Sequence, residues 1–213
     1  MARRWVAGRP ARKAQAVERV REDILDAAAA VFAAKGYAGA SMGAIAEEAG
    51  YTAPTLYVYF RGKRAIYDAL RAVVQDELRV VLESPVPEGL TLEQRLEIPL
   101  HAQLAWAKRR RLAILALLNR APPDAAESSE EDELIQLTIA LYTAILEEHR
   151  DHPALARMEP DEAAYVLWGI SYAYFTRWLN AQDETGDLAF FAPRVVRLFV
   201  GAGESLAAAQ DVA

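Results

Sequence analysis

The sequence predicts an all-α fold in two parts, a small N-terminal three-helix unit followed by a larger helical body. Three observations carry this. Apolar residues recur at helical spacing, first at Val17, Val20, Ile24, Ala28, Val31 and Phe32. Capping Ser and Thr, Pro in first turns and Gly at ends punctuate the chain where helices start and stop. The charge also divides: residues 1–64 hold 11 Lys+Arg and 6 Asp+Glu, a net +5, and the remainder holds 13 and 24, a net −11. A basic first third on an acidic body offers one face to a polyanion and keeps the body away from it.

Composition sets the outer limits. At 213 residues, 53% of them hydrophobic, the chain suffices for one large or two small domains with a sizeable core. There is no cysteine, which excludes disulfides, thiolate metal sites and cysteine catalysis. No apolar run approaches the roughly 20 residues of a membrane span. The basic N-terminus (Arg3, Arg4, Arg9, Arg12, Lys13) lacks the apolar segment of a secretory signal. The expectation is a cytoplasmic protein that neither enters nor binds a membrane.

Residues 1–16 show no apolar period and read as a basic arm, either a DNA-contacting arm or a solvated tail. The first helix starts at Val17 and closes at Lys35-Gly36, with Gly36 at the position that takes positive φ. Phe32 and Tyr37 seal its end. Ser41 caps a second helix whose inner residues are Ile45, Ala46 and Ala49. Gly50 ends it and Tyr51 occupies the turn. Thr52 caps a third helix with Pro54 in its first turn, where a missing N–H costs little. Leu56 and Phe60, four apart, face inward. Thr55 with Tyr59, and Ala53 with Tyr57, make two further rows, small or hydroxyl-bearing and able to approach a partner closely. Helix, three-residue turn, helix and basic exit from Ser41 to Lys63 form the helix-turn-helix pattern, which lays its second helix in the DNA major groove. Thr52, Ala53, Pro54 and Thr55 stand at the end of that helix where bases are read.

The run from Ile24 to Leu70 resembles the N-terminal domain of the TetR (tetracycline-repressor-like) family. The resemblance rests on FAAKGYAGAS, IAEEAG and TAPTLYVYFRGKRAIYDAL. It implies that Tyr57 and Tyr59 touch phosphates or base edges, that Lys63 binds a phosphate, and that Ser41 contacts the DNA backbone. The third helix departs from the usual readers: it has no Arg, Asn or Gln to pair with guanine or adenine. The domain expectation is an arm over 1–16, a DNA-binding domain over 17–64, and a ligand-binding and dimerisation domain over 65–213.

Helix four spans about Lys63 to Glu83, and in such a family it links the two parts. Thr91 caps a helix running through Arg109, kinked at Pro99. Lys108 to Arg111 reads as a solvated junction, and Leu112 to Asn119 as a buried helix. Ala121 to Asp132 reads as a loop. Ser128 with Glu131 resembles a capping box opening a helix to Arg150. His149 and His152 read as solvated residues at its end, not as metal ligands. Pro160 opens a helix to about Asn180, and the last runs from about Phe190 to Ala208. By resemblance these two pair with their copies in a homodimer through Trp168, Phe175, Trp178, Val195, Phe199, Ala202 and Leu206. Gly201, Ala202, Gly203 and Ala207 permit close approach.

The function implied is a DNA-binding regulator, in such a family most often a repressor, whose partners are a double-stranded DNA operator, a second copy and a small-molecule effector. His101, Trp106, Tyr142, Trp168 and Tyr172 are the candidate effector-lining residues and imply an apolar or aromatic ligand. No cofactor, metal or enzymatic activity is expected. The competing reading is an all-helical enzyme or small-molecule carrier with an incidental helix-turn-helix-like segment. Sequence-selective DNA binding separates the two.

Overall fold

The computed structural model describes residues 8–118, 129–181 and 191–208. These form α1 (Gly8–Gly39), α2 (Met42–Glu48), α3 (Ala53–Tyr59), α4 (Lys63–Leu82), α5 (Leu92–Arg109), α6 (Arg111–Leu118), α7 (Ser129–Glu148), a 3-10 turn (Pro153–Leu155), α8 (Pro160–Asn180) and α9 (Phe191–Ala208). The fold is all-α, as the periodicity requires. The chain divides into two compact units, one drawn from residues 1–74 and 110–125 and the other from 75–109 and 126–213.

In the smaller unit, the helical period of α1 buries Ile24, Leu25, Ala28, Val31 and Phe32, and α2, α3 and α4 add Ile45, Leu56, Ile66, Tyr67 and Leu70. Phe32, Tyr37 and Tyr67 close the end of α1 as an aromatic cluster, with centroids 5.4–6.0 Å apart. Two expectations change here. Residues 8–16 belong to α1 and are not an arm; the rest of the expected arm lies outside the described residues. The unit boundary falls after residue 74 instead of after 64, because Ile66, Tyr67 and Leu70 of α4 are core residues. The apolar run of α6 returns to this unit and packs along α1. Arg110, just ahead of it, pairs with Asp26 at 3.3 Å, so part of the basic junction is engaged.

In the larger unit, Leu92, Leu96, Leu100 and Leu104 form one row along α5. They meet Tyr142, Ile145 and Leu146 of α7, Leu167 of α8, and Val195, Val196 and Phe199 of α9 in a single cluster. Thr91 and Gln94 make the reciprocal capping contacts that start α5, with the Thr91 N–H donating to the Gln94 side chain at 3.1 Å. The helix runs on through Pro99, which is buried. His149 and His152 do not point into solvent. The two ring nitrogens of His149 lie 2.9 Å from the Ile145 carbonyl and 3.2 Å from the Leu90 carbonyl. Nδ1 of His152 accepts from the Ala154 N–H and so caps the 3-10 turn. Buried Arg95 is neutralised by Glu148. On α9, a Cβ added at Gly203 would stand 2.2 Å from the Ala154 carbonyl oxygen, so this glycine lets α9 lie directly on the 3-10 turn. It serves the protomer core, and the expectation that it enables a dimer contact is corrected. The expected loop over 121–132 and its capping box lie largely outside the described residues, although 129–132 already belong to α7. Among the described residues no helix is long and apolar enough to cross a membrane.

Candidate nucleic-acid interface

Two helices of seven residues each are too short to persist alone in water, so their placement depends on their ends. Ser41 is extended (φ −131°, ψ 157°), and its Oγ accepts from the Ala44 N–H at 3.1 Å, fixing the start of α2. At the other end Gly50 takes φ 71°, the Gly50 N–H donates to the Glu47 carbonyl, and the Tyr51 N–H reaches back to the Ala46 carbonyl at 2.8 Å. This double closure needs a left-handed residue at Gly50 and turns the chain sharply into α3. The Tyr51 hydroxyl donates to Asp23 of α1 at 2.8 Å, which holds the turn and raises the phenol above its usual range. Thr52 is extended and caps α3, and its hydroxyl lies 2.9 Å from that of Thr55.

The inner side of α3 is Leu56, fully buried, followed by Phe60 at the cap. Two cations clamp this arrangement. The Arg21 guanidinium stands 4.4 Å from the centre of the Phe60 ring and donates to the Tyr59 carbonyl at 3.1 Å, at the helix end that favours positive charge. The Lys63 ammonium donates to the carbonyls of Tyr37 (2.6 Å) and Ala40 (3.0 Å) and sits 4.4 Å over the Tyr37 ring. Lys63 therefore ties the start of α4 to the link between α1 and α2. Two of its three N–H groups are spent inside the unit.

The sequence-predicted set sorts by exposure. Ser41, Thr52, Pro54 and Tyr57 are exposed, while Ala53, Thr55, Tyr59 and Lys63 are half-buried. All stand on or beside the one helix-turn-helix. Sequence reasoning missed Val58, which at 79% exposed is the most exposed large hydrophobic side chain among the described residues. Its signal was the pair Pro54 and Val58, four apart and opposite Leu56. Arg21 was not singled out at all, because its partner carbonyl lies 38 positions away in the chain.

The effector candidates all belong to the larger unit, in unlike environments. Tyr142 is fully buried. Gln103 donates to its hydroxyl at 3.1 Å, and Ser171, whose own hydroxyl donates to the Leu167 carbonyl at 2.7 Å, interacts with it from α8. Burial pushes this phenol up to about 12. Trp106 is buried, and its indole N–H has no acceptor among the described residues. Trp168 stacks on Tyr172 at 5.3 Å. His101 and Tyr172 are exposed, His101 with Nδ1 2.9 Å from the Glu97 carbonyl of its own helix.

The expected dimer seam also divides. Val195 and Phe199 lie in the protomer core, 0% and 1% exposed, and have no surface to offer a partner; this is a correction. Their helix is apolar on two sides, and the expected seam mixed them, joining buried Val195 and Phe199 to exposed Ala202 and Leu206. Leu198, Ala202 and Leu206, spaced by four, form the exposed row of α9. On α8, Tyr165, Val166 and Tyr172 are exposed, with Trp168, Phe175 and Trp178 half-buried.

Comparison with known proteins agrees with this architecture. Residues 24–70 match the family described as bacterial regulatory proteins, tetR family. The HTH-type transcriptional repressor KstR of Rhodococcus jostii is 26% identical over 189 residues, covering 86% of this chain and 84% of that protein. A TetR-like transcriptional regulator from Rhodococcus sp. RHA1 shares the fold with a TM-score of 0.67 at 22% identity, over 87% of this chain and 96% of the other. The transcriptional regulator FadR of Bacillus subtilis, solved in complex with stearoyl-CoA, shares it with a TM-score of 0.63 at 22% identity, over 84% and 97%.

Proposed function

We propose that the chain is a regulator of the tetR family, which residues 24–70 match, and that it acts as a homodimeric repressor released from its operator by a small, largely apolar molecule. The observation that carries the reading is α3 itself. It is seated by Leu56 and Phe60, fixed at both ends by Thr52 and Arg21, and turns Pro54, Tyr57 and Val58 outward from the basic part of the chain. That is the placement a recognition helix needs to enter a major groove. The smaller unit then binds DNA, with Ser41, Tyr57 and Tyr59 as its backbone and base-edge contacts and Thr52 to Thr55 at the reading end.

The larger unit takes the effector and the second copy. Trp106 and the Gln103–Tyr142–Ser171 set place a few polar groups in apolar surroundings, the usual composition of a small-molecule site. FadR shows that this fold accommodates an acyl-CoA. The exposed apolar rows of α8 and α9 supply the dimer seam. A dimer presents two recognition helices to half-sites about 34–36 Å apart or a multiple of that. An effector that prefers the dimer with the wrong spacing weakens operator binding by the size of that preference. KstR, named as a repressor, supports the sign.

The test is selection of bound duplexes by the full-length protein from a genomic-fragment pool, followed by titration with fatty acyl-CoA thioesters and apolar extracts. Salt-dependent, sequence-selective binding to paired half-sites is expected, with release by one class of apolar compound. No bound fragment at low salt sinks the operator reading; binding that no compound weakens sinks the effector reading.

A further inference from the structure

We infer that Val58 reads the 5-methyl group of thymine in the major groove, and that thymine methyls, not purine hydrogen-bonding edges, set the sequence preference of α3. The inference rests on the operator-binding reading above and deepens it. At about 100° per residue, Pro54 and Val58 lie roughly 20° to either side of the line opposite buried Leu56. They therefore form the row that points most directly away from the unit, and both side chains are apolar. Val58, at 79% exposed, has its branched end in water in the free protein.

The polar groups beside this row are few. The helix has no Arg, Asn, Gln, Asp, Glu or Lys. The hydroxyls of Thr52 and Thr55 bond each other, committing one of their two protons. Tyr59 is half-buried, with its carbonyl held by Arg21. Tyr57, 56% exposed, remains as the polar neighbour and flanks the row. In the major groove each base pair offers hydrogen-bonding groups, but only thymine offers an apolar one. A valine and a proline facing the groove floor gain nothing from a guanine or adenine edge. They gain contact area where a thymine methyl projects.

The experiment uses the full-length protein and the duplex it selects best from a random pool, with each half-site thymine replaced in turn by deoxyuridine. That change deletes the methyl and leaves base pairing and hydrogen-bonding edges intact. Loss of one buried methyl weakens wild-type binding by about fourfold at the contacted position. Val58→Ala, on an exposed side chain that leaves the fold alone, binds thymine and uracil duplexes equally at that position. Equal wild-type affinity for thymine and uracil at every position overturns the inference, as does a selected half-site without thymine. A uracil penalty that persists unchanged in Val58→Ala overturns the assignment to Val58. Failure to select any duplex at low salt strikes instead at the operator reading.

Discussion

In the smaller unit, α2 and α3 have seven residues each and bury only Ile45, Ala46 and Leu56 between them. In the larger unit, α5, α7, α8 and α9 have 18 to 21 residues each and share one apolar cluster. The short helices are held by specific polar contacts: the Ser41 and Thr52 caps, the Tyr51–Asp23 bond and the Arg21 and Lys63 clamps. The long helices are held mainly by buried apolar volume, which many combinations of Leu, Ile, Val and Phe can supply. A structure that depends on particular atoms at particular places leaves a recognisable pattern in the chain. One that depends on volume does not. The family match accordingly covers residues 24–70 and stops where the second regime begins.

The largest expected effect is in the volume-dependent regime. Phe199→Ala empties the centre of the larger cluster and should cost about 3–5 kcal/mol. Urea unfolding should show that loss, and hydrogen exchange should lose protection in α5, α7 and α9 while α2 and α3 keep theirs. Lost protection in all of them would mean that the two units are not separate in energy, and the contrast would fail.

A second test uses the one buried phenol in that cluster. An unfolded tyrosine loses its proton near pH 10, whereas Tyr142 holds its proton to about 12. The folded state thus favours the neutral form. Its stabilisation is full below pH 10 and falls as pH rises towards 12, by roughly 2–3 kcal/mol. Tyr142→Phe should lack this part of the alkaline decline, measured as the wild-type minus variant difference in stability against pH. Parallel curves would show that Tyr142 does not retain its proton in the fold.

The smallest effect belongs to the polar regime. Lys63→Met removes two charge-assisted hydrogen bonds and should cost about 2 kcal/mol, with protection lost in α2 and α3 first. Because its ammonium is committed to the Tyr37 and Ala40 carbonyls, the salt dependence of DNA binding should stay unchanged. A slope flattened by about one unit would return Lys63 to the phosphate contacts that the family resemblance implies.

Much of the fold was legible along the chain. Capping chemistry is local: Ser41, Thr52 and Thr91 start helices, Gly36 and Gly50 take positive φ, and Pro160 opens α8, all at the expected positions. The early start of α1 was not legible, because residues 8–16 carry no apolar stripe to mark a helix, and residues 12–16 are exposed. For α6, the apolar run implied burial but not against which partner. On α9 a stripe on either side could face the core, so Val195 and Phe199 were assigned to a partner and Leu198 was passed over.

The helix-turn-helix shows the same division at finer scale. Residues a few positions apart specify its caps, its turn and its inward row, since those contacts close within one or two helical turns. Where the long side chains of Arg21 and Lys63 spend their charge depends on residues 23 to 38 positions away, and only the packed unit brings those together. The outward row follows for the same reason. Helical spacing pairs Pro54 with Val58, but only the burial of Leu56 and Phe60 against the unit decides that this pair faces away from it.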